Sequence, residues 1–305
     1  VRMDASFGDG WFYEGAGIYR HVWLSKTDPL HLARWETYIR PTVKGNSATI
    51  AMGTVVQNQG TAAESCRVRW QILDHSGKVV ATADSPAQSV PPDASVTFSA
   101  SASVSNPALW SPETPNLYAA VATVEAVGKT RDAERVTFGV RTIAWDPDKG
   151  FFLNGKRVEI QGTCNHQDHA GVGAALPDRL QWYRLAVLKE MGGNAVRTSH
   201  NMPTPEWVEA CDRMGMMMMC ETRLMSSNPE GMAQLETMIK RYRNSPSIIL
   251  WSMGNEEWTM MPQPQGVRVI DEMIARSHAL DPTRLCSAAV NASFDTHFPE
   301  QLDVM

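Results

Sequence analysis

The sequence predicts a multidomain protein of the β plus α/β class, in which an immunoglobulin-like β-sandwich precedes part of a (β/α)8 TIM barrel. Short alternating strands separated by turn signals fill residues 35–143. Over residues 144–305, strand-like runs instead alternate with helical patterns of about 10 to 15 residues, which is typical of parallel βα units. A chain of 305 residues also has room for two or more domains of about 150 residues each.

The sandwich is predicted from period-two alternation of apolar residues. The runs RVRWQIL and SVTFSASASV each place their apolar residues on one face, and the turn-forming runs DHSGK and VPPDAS separate neighbouring strands. The apolar residues expected to face the sandwich core are Val68, Trp70, Ile72, Val96, Phe98 and Ala100. This region is expected to be a scaffold.

The barrel region is predicted to contain five complete strands and the start of a sixth. In order, they are RVEIQG, NAVRTSH, MGMMMMCE, SIILWSMGNE, RLCSAAVN and LDVM. The first helix is expected from Pro177 to about Met191, with an apolar stripe formed by Leu180, Tyr183, Val187 and Met191. The second helix is expected to begin at the capping residue Thr204, and Met216 to Met219 are expected to fill the barrel interior.

Polar side chains gather at the carboxyl ends of these predicted strands, which is where barrel enzymes carry their active sites. They are His166, Asp168 and His169 after strand one, Arg197, His200 and Asn201 after strand two, Glu221 after strand three, Asn255, Glu256 and Glu257 after strand four, and Asn291 after strand five. Any one of them alone is more often a loop-capping residue than a catalyst. Together they predict a functional site, in which Arg197 compensates the carboxylates.

Composition limits the partners that we expect. With 28 basic and 33 acidic residues the net charge is −5, and no polybasic run is present, so we expect neither nucleic acid nor a membrane surface as a partner. The chain has no apolar run of about 18 residues or more. Localisation stays open between periplasmic or secreted and cytoplasmic. The chain begins at Val1 in the middle of a pattern, so we expect a fragment of a longer protein.

The five cysteines are widely spaced and none forms a C-x-x-C pair, so we interpret them as buried thiols. They are Cys66, Cys164, Cys211, Cys220 and Cys286. The close pair His166 and His169 has no thiolate or third histidine beside it in the sequence. We therefore expect no metal and no cofactor.

Several long motifs resemble the family 2 glycoside hydrolases, with bacterial β-galactosidases as the nearest group. They are GWFYEGAGIYRHVWL, LWSPETPNLY, FGVRTIAWDPDKGFFLNGKRVEIQGTCNHQDH, AVRTSHN and ILWSMGNEEW, and they are spread over nearly the whole chain. The resemblance implies a sugar-binding β-sandwich at the N-terminus, of which residues 1–26 would be the last strands, ahead of the two regions described above.

The resemblance also implies roles for residues. Glu256 would be the general acid/base, and Asn255 would contact the 2-hydroxyl of the sugar. The substrate-binding residues would be Asn255, His169, Arg197, His200, Asp168 and Glu221. A general acid must be protonated near neutral pH, which burial or a neighbouring acid favours. Because side chains alternate along a strand, Glu257 is expected to face away from Glu256.

Two features of the family have no counterpart in these 305 residues. The nucleophile of a retaining glycosidase would stand on the seventh barrel strand, and we expect it beyond Met305. Some members bind magnesium through a Glu and a His, and the run RLMSSNP offers neither. The implied function is hydrolysis of terminal β-D-galactosides or related oligosaccharides, by a possible homo-oligomer at full length. The alternatives are a non-catalytic carbohydrate-binding remnant and a β-glucuronidase or β-mannosidase on the same scaffold.

Overall fold

The computed structural model describes residues 17–291 and 296–305, and it confirms the predicted fold class of a sandwich followed by parallel βα units. Residues 1–26 were predicted to be the last strands of a preceding domain. Of these, residues 1–16 lie outside the described residues. Residues 17–29 contain no helix or strand, because no described strand pairs with them.

The sandwich is built from nine antiparallel strands. They are β1 Leu30–Leu32, β2 Tyr38–Lys44, β3 Ser47–Asn58, β4 Glu64–Leu73, β5 Val79–Asp84, β6 Gln88–Val90, β7 Ala94–Ser105, β8 Tyr118–Ala126 and β9 Lys129–Phe138. In one sheet β3 pairs with β7 on one side and with β1 and β2 on the other, and the second sheet has the order β5, β4, β8, β9, with β6 also paired to β4.

The predicted alternation of the sandwich strands is confirmed. Val68, Trp70 and Ile72 are fully buried between the two sheets, together with Phe98. Val96 and Ala100 are partly buried and pack against the same core. Because this pattern repeats every second residue, one face of each strand forms the core and the other faces solvent.

A three-stranded sheet connects the sandwich to the barrel region. It consists of β10 Ile143–Asp146, β11 Gly150–Leu153 and β12 Lys156–Arg157. The predicted first barrel strand, RVEIQG, is therefore wrong in position, since Arg157 belongs to this sheet. The parallel sheet begins only at Gly162, where an added Cβ would lie 2.6 Å from the carbonyl oxygen of Ala195. Glycine is the residue that permits this close approach between the first two barrel strands.

The barrel region contains five parallel strands in sequential order, connected by four helices. The elements are β13 Gly162–His166, α1 Asp178–Glu190, β14 Ala195–Ser199, α2 Pro205–Met214, β15 Met217–Glu221, α3 Pro229–Tyr242, β16 Ile248–Asn255, α4 Pro264–Leu280 and β17 Leu285–Ala289, followed by a short 3-10 helix, Pro299–Gln301. The predicted sixth strand is not formed by residues 302–305, although the backbone N–H groups of Asp303 and Val304 donate to the Cys286 carbonyl.

The helices follow the predicted capping chemistry. The Thr204 hydroxyl accepts a hydrogen bond from the Trp207 N–H, which caps α2 as expected. The predicted apolar stripe of α1 is wrong, because Tyr183 and Met191 are exposed, and the helix buries Gln181 and Leu185 instead. No helix in the described part of the chain has both the length and the apolar character needed to cross a bilayer.

Polar anchors hold the sandwich against the barrel region. The Trp110 indole N–H donates to the Asp212 carbonyl at 2.8 Å, and the Asn244 amide bonds the backbone of Ile39 and Thr37. Pro246 packs so closely on Gly139 that a Cβ at that glycine would lie 2.6 Å from it. These contacts lie at the N-terminal ends of the barrel strands, opposite the predicted site.

Candidate active site

The carboxyl ends of β14, β15 and β16 bring four of the predicted site residues into one hydrogen-bonded cluster. Arg197 lies on β14, Glu221 ends β15 and Asn255 ends β16. His200 follows β14 directly, after a cis peptide bond with Ser199. Because neighbouring parallel strands end at the same edge, residues that are 24 to 58 positions apart in sequence meet there.

Glu221 is the centre of the cluster and is fully buried. Its Oε2 accepts hydrogen bonds from Arg197 Nε at 2.6 Å and from the Ser252 hydroxyl at 2.7 Å. Its Oε1 lies 2.6 Å from Nδ1 of His200. Both carboxylate oxygens are therefore satisfied by the protein, which offsets the cost of burying the charge.

The Arg197 guanidinium extends the cluster to Asn255. Its Nη2 donates to Oδ1 of Asn255 at 2.7 Å and lies 3.3 Å from Nδ1 of His200. Since Oδ1 of Asn255 accepts from the arginine, the amide NH2 is the group left to donate to a ligand. The planar fork of the arginine thus fixes which way the asparagine side chain points.

Two histidines form the wall of the cluster near β13. The rings of His166 and His200 meet edge to face, with their centroids 5.0 Å apart. Burial lowers the pKa of His166 from its ordinary value, and the neighbouring His200 lowers it further, although Asp168 opposes both effects. The neutral imidazole is thereby favoured at this position. The sequence analysis placed His166 at the end of the first barrel strand but did not include it among the substrate-binding residues.

Glu256 follows Asn255 outside the strand and has a positive φ of 52°, a conformation that non-glycine residues rarely adopt. Its backbone N–H donates to the Ala289 carbonyl at 2.9 Å, and its own carbonyl accepts from the Asn291 amide at 3.2 Å. These bonds tie Glu256 to the end of β17. Its side chain is exposed, so the burial expected of a general acid is not observed in the described chain.

Glu256 and Glu257 do not lie on a strand, as the prediction that Glu257 faces away from Glu256 required. The strand β16 ends at Asn255, and the backbone of Glu256 is left-handed. Glu257 is half-buried, and its carbonyl accepts the N–H groups of Met260 and Met261, which begins the turn that leads to α4.

Asp168 and His169 lie in the loop between β13 and α1, and their described contacts do not join them to the Arg197 and Glu221 cluster. The His169 side chain bonds the Ala170 carbonyl at 3.0 Å, and its backbone forms a bridge with Gly173. A cavity of about 500 Å³ lies beside this loop, between α1, α2 and residues 18–21, and His166 contributes to its wall.

Ser252 and Thr198 were missed by the sequence analysis. The Ser252 hydroxyl donates to Glu221, and the Thr198 hydroxyl accepts the Glu221 N–H at 2.9 Å. A serine inside the apolar run IILWSMGN was the signal that could have pointed to Ser252, because a fully buried hydroxyl needs a partner.

Within residues 17–291 and 296–305, two groups of side chains have ligand atoms within 4.8 Å of one another, as a cation would require. One consists of His278, Cys286 and Asp303, and the other of His21, Asp178 and Glu206. Both lie outside the cluster around Glu221. In each group an aspartate already bonds a histidine, at 2.8 Å between Asp303 and His278 and at 2.9 Å between Asp178 and His21.

Models of known protein families match both the sandwich and the barrel region of the chain. The model for glycosyl hydrolases family 2 matches residues 31–141, and the model for the TIM barrel domain of the same family matches residues 147–234 and 226–298. The β-galactosidase BoGH2A of Bacteroides ovatus is 37% identical over 270 residues, which are 84% of this chain and 32% of that protein. A β-glucuronidase of Bacteroides fragilis is 30% identical over 95% of this chain and 44% of that protein.

Solved structures give the same result. A glycosyl hydrolase family 2 member from Bacteroides cellulosilyticus has a TM-score of 0.91 at 31% identity, over 99% of this chain and 42% of that chain. A β-glucuronidase from Bacteroides uniformis has a TM-score of 0.83 at 27% identity, over 92% of this chain and 37% of that one. The chain thus spans less than half the length of each of these relatives.

Proposed function

Because the chain belongs to the family 2 glycoside hydrolases, we propose that its protein hydrolyses terminal non-reducing β-D-galactosides by a retaining double displacement, with Glu256 as the general acid/base. The observation that carries this proposal is the bond from Arg197 to Asn255. It orients the asparagine amide directly beside Glu256, at the end of the barrel where catalysis takes place in this fold.

In the first step, the Glu256 carboxyl donates its proton to the glycosidic oxygen as the bond between that oxygen and the anomeric carbon breaks. The leaving group departs as an alcohol, and a second carboxylate forms the glycosyl-enzyme. In the second step, the Glu256 carboxylate takes a proton from water while the water oxygen attacks the anomeric carbon, and the bond between that carbon and the second carboxylate breaks. The second carboxylate stands about 5 to 5.5 Å from the acid/base in retaining enzymes, and we assign it to no described residue.

The cluster behind Glu256 supplies binding and positioning. The Asn255 amide donates to the sugar 2-hydroxyl, an interaction that strengthens as positive charge develops on the sugar ring. Arg197 and His200 line the sugar subsite. Glu221 was predicted from the sequence to bind substrate, but it is fully buried, so the role proposed for it is to position these two residues. Asp168 and His169 form the rim of the subsite on the β13 side.

The preference for galactosides rests on similarity to the β-galactosidase of B. ovatus. The β-glucuronidase of B. fragilis is also similar, at 30% identity against 37%, so β-glucuronide hydrolysis is the second candidate. A glucuronide carries a carboxylate on its sugar ring, whereas a galactoside carries a neutral hydroxymethyl group. A comparison of the two aryl glycosides with the same leaving group therefore separates these candidates.

The test uses the protein expressed from its full reading frame. We expect turnover of aryl β-galactoside in preference to aryl β-glucuronide. Glu256→Gln should lose on the order of 10² to 10⁴ in rate on poor leaving groups, because general acid help is removed. Azide should restore turnover of an activated aryl galactoside by attacking the glycosyl-enzyme that this variant can no longer hydrolyse efficiently.

The matched control is Glu257→Gln, which changes the adjacent acid in the same way and should retain most of the activity. An unchanged rate in Glu256→Gln would remove Glu256 from the mechanism. A preference for the glucuronide would replace the proposed substrate while leaving the mechanism in place. Binding of sugar without turnover of any β-glycoside would favour a non-catalytic carbohydrate-binding protein.

A further inference from the structure

A cavity of about 250 Å³ lies at the junction between the sandwich and the barrel region. Its walls come from β2, from residues 139–143, and from the loops that precede β16 and β17. None of the described residues that line it is an aspartate or a glutamate, whereas four are arginines, namely Arg40, Arg141, Arg243 and Arg284. The lining of this cavity therefore carries positive charge without a carboxylate to balance it.

Two of the four arginines have carboxylate partners that do not belong to the lining. Arg284 Nη1 donates to Asp281 Oδ2 at 2.6 Å. Arg243 Nη2 lies 3.4 Å from Glu36 Oε2, but Glu36 is shared with Lys240, whose Nζ donates to it at 2.6 Å. These carboxylates are thus already matched or outnumbered by the cations that they bond.

The other two arginines, Arg40 and Arg141, form no ion pair within residues 17–291 and 296–305. Arg40 Nη2 donates to the Leu280 carbonyl at 3.1 Å. Arg141 donates through Nε and Nη2 to the carbonyls of Pro246 and Ile248, both at 2.5 Å. Each guanidinium therefore keeps N–H groups without a partner in the described chain, namely Nη1 of both residues and Nε of Arg40. These nitrogen atoms are also not sealed inside the protein.

The charges around the cavity act on one another. Burial lowers the pKa of the Arg141 guanidinium, the neighbouring Arg284 lowers it further, and the result is a value of about 9, although Asp281 and Asp212 oppose the shift. Holding several cations around one cavity is therefore unfavourable. An anion inside it would offset this cost, because it attracts every guanidinium on the walls.

We propose that this cavity binds a small tetrahedral oxyanion of the phosphate and sulfate class between Arg40 and Arg141. The planar guanidinium group matches two oxygens of such an anion and is weakly hydrated, so it gives up its water readily. Thr42 and Thr142 also belong to the lining, and their hydroxyls can donate further hydrogen bonds.

The bound anion would join the two regions of the molecule. Arg40 lies on β2 of the sandwich and Arg141 lies between β9 and β10, yet both arginines bond carbonyls of the barrel region. An anion between them adds a charged contact at this junction. The inference is independent of the proposed glycoside hydrolysis, because the cavity is at the N-terminal ends of the barrel strands and Glu256 is at the opposite ends.

The binding test is isothermal titration calorimetry with inorganic phosphate at constant ionic strength, on the protein expressed from its full reading frame. We expect one saturable site. Arg40→Gln should weaken the affinity for phosphate by about tenfold, as expected for the loss of one charge-assisted hydrogen bond. Arg40→Lys keeps the charge but loses the planar fork, so it should recover part of that affinity.

Arg135→Gln is the matched control, since Arg135 is exposed on β9 and does not line the cavity. It removes the same charge and should leave the affinity for phosphate unchanged. Sulfate should displace phosphate, whereas chloride at the same ionic strength should not. Absence of saturable binding, equal weakening in Arg40→Gln and Arg135→Gln, or displacement by chloride as effective as by sulfate would each overturn the inference.

A crystallographic measurement locates the anion without any substitution. Tungstate has the same tetrahedral shape and charge as sulfate, and its tungsten atom scatters anomalously. Crystals grown without phosphate or sulfate and soaked in tungstate should show an anomalous peak between the guanidinium groups of Arg40 and Arg141. If tungstate peaks appear elsewhere on the protein and not in this cavity, the anion site is refuted.

Discussion

The sandwich and the barrel region bury different kinds of side chain. Within residues 30–138 the buried polar residues are uncharged, namely Thr37, Thr54, Asn58 and Ser85. From residue 162 onward the described chain buries charged groups as well, namely Asp212, Glu221, Arg243, Asp281 and Arg284. Because burying a charge is costly unless it is paired, these groups identify where the structure does more than fill a core.

The buried charges of the barrel region lie at two opposite ends of the strands. At the carboxyl ends, Glu221 holds Arg197 and His200 in the proposed site. At the opposite end, Arg284 bonds Asp281 at 2.6 Å and also donates to the carbonyls of Ile248, Arg243 and Ser245. One set of charges orders the proposed site, and the other joins loops that support the contact with the sandwich.

The largest effect should come from breaking the central charge pair of the site. Glu221→Ala leaves the Arg197 guanidinium without its carboxylate in a buried setting, which we expect to lower the free energy of unfolding by about 3 to 5 kcal/mol. Urea denaturation followed by tryptophan fluorescence measures this value.

The sandwich supplies a matched control for that experiment. Glu125 pairs with Arg67 at 2.8 Å on the sandwich surface, where both groups remain partly exposed to solvent. Glu125→Ala should therefore lower the free energy of unfolding by about 1 kcal/mol or less. Equal losses in the two variants would contradict the distinction between the regions.

A smaller effect should depend on pH. Burial raises the pKa of the Asp212 carboxyl to about 6, although hydrogen bonds from Ser245 and Ser247 oppose the shift. The folded state thus holds the proton more tightly than the unfolded chain, whose ordinary value is 3.8. The contribution of Asp212 to stability is fully present below about pH 4 and is lost as the pH rises through 6.

Asp212→Asn removes this titration while keeping an oxygen that can accept the two bonds from Ser245 and Ser247. Relative to the wild type, the variant should gain on the order of 3 kcal/mol in free energy of unfolding between pH 4 and pH 7. Urea denaturation at pH 4, 5.5 and 7 measures the difference. If the variant and the wild type differ by the same amount at every pH, Asp212 does not titrate in this range.

The sandwich and the barrel region also differ in which of their features could be predicted from the sequence. The sandwich strands were predicted correctly at Val68, Trp70 and Ile72, because each strand of an antiparallel sheet reports its own buried face through a period of two. The polar ends of the barrel strands were predicted for a similar reason. A charged residue that directly follows an apolar strand can be recognised from the local sequence, without knowing which other strands lie beside it.

Features that depend on contacts between distant segments were not predictable. The first barrel strand starts at Gly162 because it must approach Ala195, which is 33 positions away. The partnership of Ser252 with Glu221 requires β15 and β16 to be aligned in register, as they are at these two residues. Neither the start of the first barrel strand nor the contact between Ser252 and Glu221 can be predicted from the local sequence alone.

The smallest effect on stability is expected at the thiol of Cys164, and its labelling compares how readily the sandwich and the barrel region open. The prediction that all five cysteines are buried was wrong for Cys164, which is exposed on β13, with its sulfur 3.6 Å from Arg197 Nη1. Burial raises the pKa of the Cys66 thiol to about 11, and it raises the pKa values of the three other buried thiols in the barrel region as well. A thiol reagent should therefore label one cysteine in the folded protein, and Cys164→Ser should abolish this labelling while changing the free energy of unfolding by about 0.5 kcal/mol or less.

Rapid labelling of the Cys164→Ser variant would mean that the barrel region opens readily enough to expose Cys211, Cys220 or Cys286, or that the sandwich exposes Cys66. Mass mapping of the labelled residue decides which of the two regions is the less stable.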